Sequence, residues 1–420
     1  MTQPALHPLV AAAFASLDRA RIRWCLLRDE AGIARPRGDI DLLVEPADAR
    51  RSGEALEEAG YASIRAWGHG SHRFYAAYEE REGLWVRLDL VGEVAFGPYQ
   101  SLLACEAREC LDRAVGGGGV RLLAAEDRFW ALLAHCLLDR GDVPPRHAGP
   151  LVELARTARG EGPVARPFGA ALPEGWTLAR VREVAARGAW DELIAIAPAL
   201  RARWARRRPG AAGARVARGG VLRVLRPALT ALRGRGLSVA LLGPDGAGKS
   251  TLAASLVDAW PLQDVRTIYL GLYSDARRSY PGPLRVAARL AWLGRASLAI
   301  GWHRGRGRLV ILDRHTWDAL LPPASPESAL ARRRRTLLAR AAPRPAVGVL
   351  LDAPAEVLAP RKAEHTVDEL EEQRRRYREL ATSLPQLTVV DAGRDAEGVL
   401  REIVGLVWGR YSGSDPGGET

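Results

Sequence analysis

The sequence contains almost no lysine: only Lys249 and Lys362 are lysines among its 61 basic residues, and the others are arginines. Cysteine is also scarce, with four residues in a chain of 420. These cysteines form no Cys-x2-Cys pair, and no histidine lies at zinc-ligand spacing, which argues against a structural zinc site. Few cysteines, all in the N-terminal half, are typical of reduced thiols. The composition therefore favours a cytoplasmic protein.

Long apolar runs are missing as well. The most apolar stretch, residues 284–302, is interrupted by Arg285, Arg289 and Arg295, which argues against a membrane-spanning helix. This stretch is more typical of a buried or ligand-facing helix than of an amphipathic helix at a membrane surface. No secretory signal peptide is predicted at the N-terminus, which agrees with a cytoplasmic location.

The chain is basic, with a formal net charge of +12. Such a charge occurs in proteins that bind nucleic acids, membrane surfaces or phosphorylated ligands. A general preference for arginine explains part of the excess, and no basic stripe with interleaved aromatic residues is visible. The sequence thus gives no strong indication of a nucleic acid or membrane partner, and we expect a small-molecule partner instead.

Changes in residue pattern along the chain predict two or three domains. The fold class expected is α/β, with a doubly wound parallel sheet in the C-terminal half and an α+β domain in the N-terminal half. The predicted parts are an α+β domain (1–115), its helical extension after a Gly116–Gly119 loop (116–205), a linker (206–235), the parallel-sheet domain (236–410) and a disordered tail (411–420). Within the linker, a short helix at 221–232 is an alternative.

The motif Gly243-Pro-Asp-Gly-Ala-Gly-Lys-Ser-Thr251 fits the Walker A pattern of a phosphate-binding loop. It follows an apolar run at 237–242 and precedes a helical pattern at 251–260, which is the strand–loop–helix setting that such a loop requires. Lys249 would reach the β- and γ-phosphates of ATP, and the Ser250 hydroxyl would ligate Mg²⁺. The predicted cofactor-binding residues are Gly243, Gly246, Ala247, Gly248, Lys249, Ser250 and Thr251.

The apolar run that begins at residue 308 ends in an Asp-Arg pair, Asp313-Arg314. At the carboxyl edge of a parallel sheet, Asp313 would position Mg²⁺ and Arg314 would bind the phosphate of an acceptor. A solvated ion pair at a strand end is the alternative. Farther on, the pattern at residues 367–380 predicts a charged surface helix. The alternative is that one or more arginines between residues 361 and 376 close over the transferring phosphoryl group.

In this order, the motifs resemble the thymidylate kinase family of nucleoside monophosphate kinases. The matching segments are Gly243–Thr251, Asp313-Arg314-His315, Asp352-Ala-Pro-Ala-Glu356, Arg361-Lys362 and Val390-Asp391-Ala392. The resemblance covers residues 236–410 and implies a P-loop fold, ATP, Mg²⁺ and γ-phosphoryl transfer to a small acceptor. It also implies that Asp245 faces the acceptor sugar. Family members are often dimers, so a homodimer is one expected arrangement. The catalytic residues expected are Asp245, Lys249, Asp313, Arg314 and Arg361.

The segment that would bind the acceptor departs from this family. Family members that phosphorylate thymidylate stack the base on a phenylalanine there, whereas all five phenylalanines of this chain lie before residue 169. Candidate replacements are Tyr269, Tyr273, Tyr280, Trp292 and Trp302, with Arg277 and Arg278 as donors to an anionic acceptor. A nucleoside monophosphate is the expected acceptor. The alternatives are a sugar, polyol or lipid-linked acceptor and, in another class, an NTPase that binds nucleic acid.

The N-terminal half carries a second acidic motif, Asp39-Ile-Asp41, at the start of a predicted strand. Carboxylates at i and i+2 point to one face of a strand and repel each other unless a cation lies between them. With Asp89 on a neighbouring predicted strand, the set resembles the nucleotidyltransferase superfamily, in which three acidic residues hold Mg²⁺. This chain has Leu-Arg28 where that family has Gly-Ser, so its activity stays open. An Asp-rich turn is the alternative.

Overall fold

The computed structural model describes residues 6–28, 33–64, 66, 69–117, 119–158, 160–233, 236–271, 282–323, 326–361 and 365–413. The chain divides into two compact units. The first comprises residues 1–79 and 84–226, and the second comprises residues 80–83 and 227–420. Both units combine helices with parallel strand pairs, so the predicted α/β class is confirmed at that level. Among the described helices, none is long and apolar enough to cross a membrane.

A mixed sheet forms the centre of the first unit. The strands of this unit are β1 (Trp24–Leu26), β2 (Asp39–Val44), β3 (Ala62–Ile64), β4 (Arg73–Glu79), β5 (Leu84–Val91), β6 (Glu93–Phe96), β7 (Leu102–Glu106), β8 (Val115–Gly117) and β9 (Val120–Leu122). Seven of them form one sheet in the order β3-β4-β5-β2-β1-β9-β8, and β6 pairs with β7. Strand β2 runs parallel to β5 and antiparallel to β1. The β2–β5 pair therefore places the acidic motif in the middle of the sheet.

Helices cover this sheet and build a second apolar core beside it. They are α1 (Pro8–Arg19), α2 (Ala49–Glu58), α3 (Ala107–Leu111), α4 (Ala125–Ala134), α5 (Pro145–Thr157), α6 (Ala165–Ala171), α7 (Leu178–Ala186), α8 (Trp190–Arg207) and α9 (Pro209–Arg233). Phe14 of α1 packs on Trp24 of β1, while Trp130 of α4 packs on Phe168 of α6. Helix α4 continues into a π-helical turn, His135–Arg140.

The structure differs from the sequence expectation at two glycine-containing segments. Residues 115–122 form the hairpin β8–β9 rather than a plain loop at 116–119, and β9 joins the sheet through β1. The segment expected to be a linker is occupied mainly by α9, which begins at Pro209 rather than at Val221. Tertiary contacts explain the longer helix, since Arg215 donates to both carboxylate oxygens of Glu93.

The second unit contains a five-stranded, wholly parallel sheet. Its strands are β10 (Leu237–Leu242), β11 (Val265–Tyr269), β12 (Leu309–Asp313), β13 (Val347–Asp352) and β14 (Leu387–Asp391), in the order β11-β12-β10-β13-β14. Its helices are α10 (Lys249–Ala259), α11 (Gly282–Gly305), α12 (Ala329–Ala339), α13 (Ala355–Leu358), α14 (Val367–Ser383) and α15 (Ala396–Ser412). The chain passes from one side of β10 to the other after β12, which is where open α/β sheets bind ligands.

The three central strands of the second unit, β10, β12 and β13, are buried on both faces because helices pack on both faces. Ala240 and Leu242 of β10 share a core with Ile300 of α11 and Leu380 of α14. The alternate side chains, such as Val239, are also fully buried. Register pairing joins Asp313 to Tyr269 on one side and to Leu241 on the other. The ends of these strands therefore meet at one edge of the sheet.

Candidate functional site

The glycine-rich loop between β10 and α10 lies at the carboxyl edge of the second sheet. Gly243 and Gly246 have positive φ values of 142° and 84°. A Cβ atom at Gly243 would lie 2.5 Å from the Leu351 carbonyl oxygen, and one at Gly246 would lie 2.9 Å from that of Leu358. Other residues would therefore strain or displace the loop. This backbone turns sharply into helix α10, which begins at Lys249.

Lys249 lies beneath the loop and is only 7% exposed. Its Nζ donates hydrogen bonds to the carbonyl oxygens of Gly243, at 2.9 Å, and Pro244, at 2.7 Å. Burial, followed by the nearby charge of Arg314, lowers the pKa of Lys249 to about 8. The ammonium is thus held by two carbonyl groups of the loop and would stabilise the loop in turn. It belongs to the first residue of helix α10, and anions bind favourably at the N-terminal end of a helix.

Ser250 and Asp313 meet at the same edge. The Ser250 hydroxyl donates to Asp313 Oδ2 at 2.7 Å. Hydroxyl and carboxylate oxygens are the donor types that Mg²⁺ prefers, so these two side chains fit a magnesium ion. In sequence, Ala247 precedes Ser250 in the loop, and Thr251 follows Ser250 in the first turn of α10.

Arg314 follows β12 and binds the loop residue Asp245. Its Nη2 donates to Asp245 Oδ1, while its backbone N–H donates to the Leu241 carbonyl. Arg314 adopts a left-handed backbone conformation, with φ of 69°. Such a conformation is costly for an arginine and is found at functional sites. Asp245, predicted to face the acceptor sugar, and Arg314, predicted to bind the acceptor phosphate, are therefore in direct contact.

Sequence reasoning missed three residues around this pair. Asp318, on the turn after Arg314, accepts a hydrogen bond from the Tyr377 hydroxyl of α14 at 3.0 Å and lies 3.9 Å from Arg314. Burial raises the pKa of Asp318 to about 6. His365 Nε2 lies 3.4 Å from Asp245 Oδ2. The i,i+4 spacing of Arg314 and Asp318 could have predicted their contact, whereas nothing in the sequence indicated that Tyr377 or His365 lies here.

The arginines expected to form a lid have other partners in this conformation. Arg361 donates to the Ala392 carbonyl at 3.5 Å. In α14, Arg374 donates to Asp352, Arg375 donates to Glu372, and Arg376 donates to the Pro322 carbonyl. A lid role for Arg361 thus stays a prediction that requires movement. Lys362 lies outside the described residues.

Among the described aromatic candidates, Tyr269 lies nearest to the candidate site in the strand register. It ends β11, pairs in register with Asp313 and is 48% exposed. Trp302 is exposed on α11, with Arg306 over its ring, whereas Trp292 is partly buried against the core of this unit. Tyr273, Tyr280, Arg277 and Arg278 lie outside the described residues. Tyr269 is therefore the described aromatic face best placed for an acceptor.

In the first unit, the three predicted carboxylates lie on one face of the sheet. Asp41 of β2 is the register partner of Asp89 of β5, and Asp39 precedes Asp41 by two residues. Asp89 is 5% exposed, and its Oδ1 has no hydrogen-bond partner among the described residues. Burial raises the pKa of Asp89 to about 6, and the charges of Asp41 and Asp39 contribute to the shift. The sequence prediction of their shared face agrees with this geometry.

Each of these carboxylates has a cationic or histidine partner. Asp39 pairs with Arg87 at 2.9 Å, and Asp41 pairs with Arg28 at 2.8 Å. Asp89 is bound by His72 Nδ1. Within the described ranges, no group of three or more His, Cys, Asp or Glu side chains is arranged to hold a metal ion. A cation at this face would have to displace some of these partners.

A comparison with protein families supports the N-terminal prediction. A family model described as an uncharacterised nucleotidyltransferase matches residues 31–158, so the N-terminal part is nucleotidyltransferase-like, as predicted. No curated protein matches the chain. Among solved structures, the chain is similar to a thymidylate kinase from Candida albicans, at 16% identity and a TM-score of 0.31. That similarity covers 41% of this chain and 91% of the kinase.

Proposed function

We propose that the second unit is a kinase that uses ATP and Mg²⁺ to phosphorylate a small acceptor. The supporting observation is the convergence of three contacts at one sheet edge: Lys249 under the glycine-rich loop, Ser250 on Asp313, and Arg314 on Asp245. Phosphoryl transfer is catalysed mainly by positioning and by stabilisation of charge. A preorganised set of one ammonium, one guanidinium and two carboxylates can provide both.

Each residue of this site would have a separate role in phosphoryl transfer. The loop backbone and Lys249 would bind the triphosphate, because N–H groups at a helix N-terminus and an ammonium attract phosphate oxygens. Ser250 and Asp313 hold the magnesium ion, which neutralises phosphate charge when bound. Arg314 binds and orients the acceptor, while Asp245 and Asp318 keep its guanidinium in place.

A nucleoside monophosphate is the acceptor that this arrangement favours. Tyr269 offers an exposed aromatic face beside Asp313, on which a planar base can stack. Arg314 offers a guanidinium that matches a phosphate group. A sugar, polyol or lipid-linked acceptor would use the same arginine but would have no need for the ring.

The test is ADP release from the full chain with ATP and Mg²⁺, measured across a panel of nucleoside monophosphates. We expect one of them to stimulate release, and Lys249→Ala to reduce the stimulated rate by about 10²-fold or more. Arg332→Ala serves as a matched control, since Arg332 is an exposed basic residue of α12 outside this site. An unchanged rate in Lys249→Ala would refute the assignment, and stimulation by sugars or polyols alone would move the acceptor to that class.

A second candidate activity is nucleotidyl transfer by the first unit. The family match over residues 31–158 supports it, as does the register pairing of Asp41 with Asp89. Asp89 Oδ1, buried and without a described hydrogen-bond partner, fits the binding of a divalent cation. The three carboxylates would hold such a cation, which supplies charge stabilisation for nucleotidyl transfer when bound.

Pyrophosphate release from each of the four ribonucleoside triphosphates tests this activity. We expect release to depend on Mg²⁺ and Asp41→Asn to lower it by about tenfold or more. Glu109→Gln, a change of an exposed carboxylate on α3, is the control. Release at the same rate in Asp41→Asn would exclude a catalytic role for the acidic face.

A further inference from the structure

A cavity of about 410 Å³ opens beside the acidic face of the first unit. Arg28 and His72, the partners of Asp41 and Asp89, form part of its wall. Strands β5 and β6, the turn at 97–100 and the π-helical turn after α4 supply most of the rest. A cavity of this volume is large enough for a small metabolite. Its position would bring such a molecule next to the carboxylates.

The two carboxylates that line the cavity are already paired. Arg215 binds both oxygens of Glu93. Asp139 accepts hydrogen bonds from the Gly97 backbone N–H, at 2.6 Å, and is bound by His135, at 2.8 Å. Glu93 is therefore compensated by Arg215, whereas Asp139 is held by a backbone N–H and by His135, whose pKa is lowered by burial.

Two arginines of the wall, by contrast, have no carboxylate partner among the described residues. Arg201 of α8 donates from Nη2 to the Leu138 carbonyl, and its buried Nε has no described partner. Arg223 of α9 lies over the Tyr99 ring, 4.9 Å from its centroid. Because Arg28 is paired with Asp41, Arg201 and Arg223 are the guanidinium groups of the described wall that have no carboxylate partner.

Of the three histidines that line the cavity, His69 lies close to Arg223. Burial lowers the pKa of His69, and the nearby charges of His72, Arg223 and Arg226 lower it further. The charges of Arg201 and Arg223 favour an anionic ligand at this wall.

The backbone of the wall is held in an uncommon conformation. Tyr99 and Gln100 both adopt left-handed conformations, with φ of 54° and 55°. Such strain persists only where surrounding contacts enforce it, and it is concentrated at binding sites. Here the strained turn places the Tyr99 ring beneath Arg223, and Arg215 donates to the Gln100 carbonyl at 3.1 Å.

We propose that this cavity binds a phosphorylated small molecule whose phosphate group contacts Arg201 and Arg223. Two guanidinium groups match the charge of a phosphomonoester better than that of a single carboxylate, because the phosphomonoester carries close to two negative charges at neutral pH. The proposal rests on the cavity alone and requires neither of the two proposed activities. If the acidic face is active, the bound molecule lies where an acceptor for nucleotidyl transfer would lie.

Calorimetric titration of the full chain at pH 7.5 tests this proposal, with ribose 5-phosphate and inorganic phosphate as probes and ribose as the uncharged control. We expect ribose 5-phosphate to bind and ribose not to bind. Arg223→Gln and Arg201→Gln should each weaken binding by about tenfold or more. Arg180→Gln is the matched control, because Arg180 also lies over an aromatic ring, that of Trp176. Since Arg180 lies outside the cavity, its substitution should leave binding unchanged.

The phosphate-binding loop of the second unit is the competing site for the same probes. Lys249→Ala separates the two sites, and we expect it to retain the binding of ribose 5-phosphate. Binding lost in Lys249→Ala but kept in Arg223→Gln would overturn the proposal. The proposal would also be overturned if neither ribose 5-phosphate nor inorganic phosphate showed binding that is weakened by Arg201→Gln or Arg223→Gln. Since Arg223 is exposed on α9, its substitution keeps the test valid even if Arg201→Gln fails to fold.

Discussion

At the scale of single residues, the candidate kinase site contains a carboxyl group, that of Asp318, whose pKa is raised by burial. Asp318 is 6% exposed, and its described partners are the Tyr377 hydroxyl and the more distant Arg314 guanidinium. Burial of a charged carboxylate is unfavourable, so its pKa rises from 3.8 to about 6. The folded state therefore binds the proton of Asp318 more tightly than the unfolded state does.

This shift predicts a pH-dependent effect of Asp318→Asn on stability. The favourable contribution of the protonated carboxyl is complete below about pH 4 and is lost as the pH rises through about 6. Between pH 4 and pH 7, the free energy of unfolding of the wild type should therefore fall by about 2–3 kcal/mol relative to that of Asp318→Asn. Urea unfolding at several pH values measures this difference.

Tyr377→Phe is the companion variant. The Tyr377 hydroxyl lowers the pKa of Asp318 by donating to the carboxylate. Its removal should raise that pKa further, so that the loss of stability with rising pH becomes larger and extends to higher pH. A wild type and an Asp318→Asn variant with parallel pH profiles would contradict the buried-carboxyl interpretation.

At the scale of elements, α9 shows how tertiary contacts decide the structure of a segment whose composition predicted a linker. Gly219 and Gly220 are adjacent in its interior, where glycine is unfavourable. A Cβ atom at Gly219 would overlap the Cβ, Cγ and Cδ1 atoms of Tyr99, whereas one at Gly220 would meet nothing within 4 Å. Gly219 is thus required for the packing of Tyr99 on α9, and Gly220 is not.

The two glycines form a matched pair for mutagenesis. Gly220→Ala should raise the free energy of unfolding by about 0.5–1 kcal/mol, because alanine favours the helix. Gly219→Ala should lower it by about 1–3 kcal/mol, because the stem of Tyr99 cannot move away without a backbone shift. Denaturant unfolding of both variants measures the difference. Equal effects would show that Tyr99 does not pack closely on this helix.

Elements with strong local patterns could be predicted from the sequence, and those held by distant contacts could not. Strand β10 has the predicted bounds, 237–242, since all its residues except Ser238 are apolar and glycines flank it. Strand β11 was missed because its residues are only half-buried or exposed at the edge of the sheet, so they form no apolar run. Helix α9 was predicted only as a short alternative, since its anchors Glu93 and Tyr99 lie more than 100 residues earlier.

The same distinction holds for the candidate sites. Lys249 and Ser250 could be assigned together because one short motif fixes their spacing, and Asp313 because it ends an apolar strand. Tyr377 reaches Asp318 from 59 residues away, a contact that only the packing of α14 creates. The cavity of the first unit was not predicted either, since its walls come from segments spread between residues 27 and 223.

At the scale of the whole molecule, the chain combines two units that each possess a separate apolar core. The cores of the first unit include Phe14 and Trp130, and that of the second includes Ile300 and Leu380. The two candidate sites are built from different units: the acidic face from β2 and β5, and the glycine-rich loop from β10 and α10. Substitutions at separate sites without shared partners usually act independently.

The two proposed activities should therefore be lost independently in the full chain. We expect Lys249→Ala to abolish acceptor-stimulated ADP release while pyrophosphate release stays within about twofold of the wild type. Asp41→Asn should show the converse, and the double variant should show both losses without further effect. ADP and pyrophosphate measured in the same reactions provide the comparison. Loss of both products in either single variant would show that the units act as one catalytic system, in which the product of one unit is required by the other.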